Sequence, residues 1–156
     1  MVRQLCVGTL LVIGVACSDD LTGFDRAMGL VLETSVSSES IEQGQVDTIT
    51  VTLTNTTSST ISLTFGSGCQ FRVFITDMFD HIVVPPGGGW ACTQALTGRT
   101  IPPHQAQSVQ FEWAGSTNFS PDTRAGRLPP GLYRVFATLD AYEVNLTTDR
   151  VPIRLR

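Results

Sequence analysis

The sequence predicts an all-β domain, an antiparallel β-sandwich of about seven to eight strands, and three observations carry that reading. In 47–65, DTITVTLTNTTSSTISLTF, Ile49, Val51 and Leu53 alternate with Thr48, Thr50, Thr52 and Thr54. The alternation resumes with Ile61, Leu63 and Phe65, the period-two pattern of strands with one face in a core and one in water. Similar short runs, separated by Gly- and Pro-rich turns, recur to the C-terminus, and no stretch carries a convincing amphipathic helical period. With 156 residues, 42% of them hydrophobic, the chain suffices for one domain, which buries roughly 68–70% of its unfolded surface. A closed barrel is the lesser alternative.

Taken in order, residues 1–16 read as a signal peptide: Arg3, then an apolar run from Leu5 to Ala16, too short to cross a membrane as a helix. Gly14, Val15, Ala16 and Cys17 resemble the bacterial lipobox, which makes Cys17 the expected lipid-bearing N-terminus. Gly14 stands where that motif usually has Leu, and the same bond also suits an ordinary signal peptidase. Stable anchoring needs more than one acyl chain, as bacterial lipoproteins carry. Residues 17–28, with Asp19, Asp20, Gly23 and Asp25, read as anchor and tether, and 29–156 as the folded domain.

A first strand is expected over 29–36, followed by 47–65 as a β-hairpin whose link is rich in Asn and Ser. Phe71, Val73 and Ile75 form the next strand, with Phe74 apolar on the other face; 77–81 turn and 82–84 return. Pro85, Pro86 and three glycines then open an irregular loop to Thr100, apolar enough to pack partly on the sandwich. Val109, Phe111 and Trp113 mark a strand in which Trp113 alternates with core residues. The second long loop is 115–130, and the last strands carry Tyr133 to Leu139, Val144 to Leu146 and Val151 to Leu155.

A formal charge of −4, with ten Arg and no Lys, provides no basic footprint, so nucleic acid is not an expected partner. His81 and His104 lack the tight His and Cys spacing of structural zinc sites, and Asp77 and Asp80 fit turn capping better than acid–base work. No G-x-S-x-G elbow occurs, so neither metal, cofactor nor catalysis is expected. Triplets beginning at Asn55, Asn118 and Asn145 match the glycosylation pattern by coincidence in a bacterial lipoprotein. Cys69 and Cys92 lie 23 positions apart in a chain read as exported, and a disulfide between them is expected, with two buried thiols as the alternative. Closing a loop of that length contributes about 3 kcal/mol through lost chain entropy.

Several blocks, ITVTLTNTTSSTISLTFGSG, FRVFITD, WACTQAL, IPPH, VQFEW and LPPGLYRVFATL, together resemble the BsuPI-type intracellular proteinase inhibitor domain over about residues 45–140. The resemblance implies an immunoglobulin-like sandwich and, by analogy, inhibition of a peptidase. The chain departs from the family at Phe79, Asp80 and His81, where a Gly usually follows the turn Asp, and it adds Cys69 and Cys92. The leader also sits at odds with the word intracellular.

Two functions follow as expectations. One is an envelope peptidase inhibitor, lipid-anchored through Cys17, that presents an ordered loop; the candidate binding residues are Trp90, Thr93, Gln94, Leu96 and Arg99, with Arg124 and Arg127 of the second loop behind them. The other is a noncatalytic structural or accessory module of an envelope assembly, binding an envelope protein or glycan, with no peptidase target. From sequence, Trp90 suits either packing or binding.

Overall fold

The computed structural model describes residues 22–119 and 126–156, so the expected signal peptide 1–16, the expected lipidation site Cys17 and Arg124 lie outside the described residues. Twelve strand segments occur among them: β1 Thr22–Ala27, β2 Leu30–Val36, β3 Ser40–Ile41, β4 Asp47–Asn55, β5 Ile61–Phe65, β6 Phe71–Thr76, β7 Ile82–Val84, β8 Thr97–Ile101, β9 Ala106–Trp113, β10 Gly131–Asp140, β11 Asn145–Thr147 and β12 Val151–Leu155. One antiparallel sheet has the order β1-β2-β4-β9. The other runs β3-β12-β10-β6-β7, with β11 also paired to β10, and a separate pair joins β5 to β8. Among the described residues, only β3 and β12 pair in parallel. The excess over the expected count comes from segments of two or three residues and from strands formed where loops were expected.

The alternation seen in the sequence becomes the core. Ile49, Val51 and Leu53 of β4 are fully buried, as are Val73 and Ile75 of β6 and Val135, Ala137 and Leu139 of β10. Burying each such Val, Leu or Ile side chain contributes about 1.5–3 kcal/mol. Two contacts fasten the sheets across that core: the Thr148 and Thr34 hydroxyls meet at 3.1 Å, and Trp113 of β9 sets its edge on Tyr133 of β10 at 5.9 Å. Trp113 donates its indole N–H to the Ser116 carbonyl at 2.8 Å. Tyr133 donates its hydroxyl to the Pro129 carbonyl at 2.7 Å, four residues upstream, the tyrosine corner of immunoglobulin-like sandwiches.

Two expectations are corrected. The segment 47–65 is not a hairpin: β4 is paired on both edges, with β2 and β9, and β5 instead pairs with β8. Alternation fixes which face a strand buries, whereas pairing depends on which edges are free, and β4 has none left for β5. Buried Asn55 turns the corner, its amide reaching the carbonyls of Ser59 (2.7 Å), Ile101 (3.0 Å) and Pro102 (3.1 Å). The expected tether 17–28 is also partly structured, because Thr22–Ala27 completes the free edge of β2. There Asp25 accepts the Thr147 N–H at 2.7 Å, and at Gly23 a Cβ would strike the Asp149 carbonyl. No alternation marks this strand, so its sequence carried no signal.

Candidate functional site

The segment between β7 and β8 begins with a 3-10 turn at Pro86–Gly88, in which Gly87 and Gly88 take φ of +67° and +73°, a conformation that glycine adopts without strain. From there the chain passes from the edge of the six-stranded sheet toward the edge strand β9 of the other. Trp90, half-buried, joins the two: its ring stacks on Phe119 at 5.5 Å and meets Phe111 of β9 and Phe74 of β6 edge-on at 5.8 and 6.5 Å. Phe74 in turn stacks on Phe136 at 5.1 Å. These contacts make Trp90 part of the wall that closes the open side of the sandwich. Its indole N–H is buried with no hydrogen-bond partner among the described residues.

Beyond Trp90 the expected disulfide joins Cys69 to Cys92. Next to it the Gly68 N–H donates to the Thr93 carbonyl at 3.0 Å, and a Cβ at Gly68 would run into the Thr93 hydroxyl. The staple therefore holds Thr93, Gln94 and Leu96 at the surface, all exposed, Leu96 at 72%. Arg99 is not on a loop: it lies in β8, paired with Leu63. Its guanidinium donates from Nε to Gln70 Oε1 (2.6 Å) and from Nη1 to Gln107 Oε1 (2.7 Å), over the Phe71 ring at 4.9 Å. Partial burial lowers its pKa. Arg99, Phe71, Val109, Phe111 and the Cys69 end of the disulfide border a shallow cleft of about 270 Å³. Of the second loop, Arg127 is exposed and forms a bridge with Ser116.

The turn between β6 and β7, at the end of β6 away from Cys69, was read only as a turn in the sequence, yet it is held by a dense set of its own hydrogen bonds. Asp77 Oδ1 accepts the N–H groups of Phe79 (2.8 Å) and His81 (3.0 Å), and the Asp77 N–H donates to the His81 carbonyl at 3.0 Å. Desolvation pushes the Asp77 carboxyl up, but the N–H groups of His81 and Phe79, with the His81 ring at 3.1 Å, outweigh it and hold the carboxyl below its usual range. Asp80, at φ +65°, pins the turn to the sheet through Arg134 (3.1 Å) and Arg150 (3.4 Å). At its tip Met78 is 60% and Phe79 71% exposed. The available signal was compositional: two large apolar residues stand where turn-forming residues are the rule.

His81 and Asp77 form a pair without a nucleophile, because no hydroxyl or thiol among the described residues bonds the ring. No group of three potential metal ligands occurs among the described residues.

Among solved structures, the chain is similar to part of a β-glucosidase from Listeria innocua (18% identity, TM-score 0.47, 81% of this chain and 16% of that one). It is also similar to part of a β-glucosidase from Erythrobacter marinus (15%, TM-score 0.46, 79% and 15%). The CARDB domain of the PF1109 protein from Pyrococcus furiosus, solved with di-metal ions, aligns at 11% identity and TM-score 0.42 over 78% of this chain and 93% of that one. The chain thus spans about a sixth of the length of the glucosidases. No curated protein matches it. A sequence profile of the BsuPI family, described as intracellular proteinase inhibitor, matches residues 32–144, most of the sandwich from β2 to the β10–β11 turn, and the chain belongs to that family.

Proposed function

We propose that the chain is a peptidase inhibitor of the bacterial envelope, exported by residues 1–16, anchored by lipid on Cys17 and acting without cofactor or catalysis. The observation that carries the inhibitor reading is the family match over 32–144. The mechanism it suits is occlusion: a loop ordered before binding loses less conformational entropy when it meets a peptidase cleft. Both protrusions have that order, the β6–β7 turn through Asp77 and the 92–96 segment through the disulfide. The leader and the disulfide together favour an oxidising compartment, where an envelope peptidase is the natural partner.

Titration of the leaderless, oxidised protein against a panel of serine and metallopeptidases tests this reading. Stoichiometric loss of activity toward at least one of them is expected. Silence across the panel would move the function to an accessory module that binds an envelope protein without inhibiting a peptidase.

A further inference from the structure

Large apolar side chains on rigid, protruding turns are rare, because a turn loses no stability by carrying polar residues there. In this domain Phe79 and Met78 occupy such a turn, with Ile82 (38% exposed) beside them on β7. Leu132 (40% exposed) begins the neighbouring strand just beyond the last paired position, Arg134↔Thr76. Phe79 is 71% exposed, and among the described residues its ring meets one other ring, the tilted His81 ring at 6.2 Å, so packing within the domain does not account for it. Exposed aromatic anchors ringed by polar groups are the usual centres of protein interfaces.

The charge around the tip is already spent. Asp77 is engaged by two backbone N–H groups and the His81 ring, and Asp80 by Arg134 and Arg150. The turn therefore offers an apolar, largely neutral surface, unsuited to a pocket that selects basic or acidic side chains. Its backbone matters equally. The Phe79 N–H points at Asp77 and the chain reverses within five residues, so this segment cannot lie extended along a cleft as a substrate does.

We infer that the β6–β7 tip engages the peptidase, with Phe79 filling a substrate pocket that accepts large apolar residues while the closed turn withholds an extended, cleavable strand. The inference rests on the inhibitor reading above and adds to it the contact residue and the class of target. Burying one phenylalanine in a partner corresponds to roughly 10- to 100-fold in affinity.

The test uses the oxidised chain from Cys17 onward, with chymotrypsin and subtilisin as probes for apolar pockets and trypsin as the basic-selective counterpart. The expected result is inhibition of chymotrypsin or subtilisin in preference to trypsin, weakened about 10- to 100-fold by Phe79→Ala. Phe79→Arg should transfer inhibition toward trypsin, a gain that no folding defect can imitate. Tyr142→Ala, at an exposed ring elsewhere on the domain, should leave inhibition unchanged. Inhibition that survives both Phe79 variants, or that is confined to trypsin in the unmodified protein, overturns the inference and leaves the inhibitor reading standing. An unmodified, folded protein that inhibits none of the three and nothing in the wider panel overturns both.

Discussion

Asp47 shows how a single side chain can oppose the fold it belongs to. It is fully buried at the start of β4, with Oδ1 accepting the Ser37 hydroxyl at 2.5 Å and Oδ2 without a hydrogen-bond partner among the described residues. Burial raises its pKa more than the Ser37 and Ser38 hydrogen bonds lower it. The native state then holds its proton more tightly than the unfolded chain, so stability declines as pH rises from about 4 through the raised native value. Asp47→Asn keeps the acceptor toward Ser37 and removes the charge. Urea denaturation across that pH window should show the decline in the parent and a flatter profile in the variant, with the variant at least as stable at pH 7. An equal slope in both would show that Asp47 ionises in the fold at no cost. Asn55 is the opposite case, a buried polar group whose bonds to three carbonyls and to Thr57 are all made.

At the level of elements, the segment from β7 to β8 behaves as a strip of wall rather than a free loop. Truncating Trp90 removes contacts with Phe74, Phe111 and Phe119 at once, and Trp90→Ala should cost about 3 kcal/mol, the low end for buried aromatic truncation because the ring is only half-buried. Chemical denaturation reads this directly; a cost below about 1 kcal/mol would mean the strip is held by its disulfide alone. This element also shows what sequence could reveal. Strands β4 and β10 were legible because alternation is local, and the Cys69–Cys92 bond was legible from the expected compartment and spacing. Strand β1 was missed because it lacks alternation, although its partner β2 follows it directly. The partner of β5 and the strand character of Arg99 were not legible, since each depends on an edge offered by residues far away in sequence. Trp90 stayed ambiguous for the same reason: its stacking partner is Phe119. The Met78–Phe79 tip escaped because an apolar pair in a turn matches neither a strand signal nor a turn signal.

For the whole molecule, the disulfide ties the closing strip to the entrance of β6, which suits the oxidising compartment proposed above. Reduction, or Cys69→Ser with Cys92→Ser, should destabilise the domain by about 3 kcal/mol and lower its Tm by roughly 10 °C. Calorimetry with and without reductant measures it, and an unchanged Tm would make the bond dispensable. The same protein taken from cells under thiol-blocking conditions should show Cys69 and Cys92 unlabelled, and Cys17→Ser should shift it from the membrane to the soluble fraction. Retention on the membrane in that variant would remove lipid from the account of its address.

The Asp77 turn has a consequence in terms of descent. Its bonds are made almost wholly within 77–81, by one carboxylate and its own backbone, and the sandwich beneath contributes only the two arginines that hold Asp80. Positions 78 and 79 can therefore change identity without disturbing a core residue or a strand register. A lineage that keeps the aspartate and the sheet is free to explore new side chains at the tip one mutation at a time, each intermediate still folded. Divergence among such domains should then gather at two adjacent codons while the scaffold stays put.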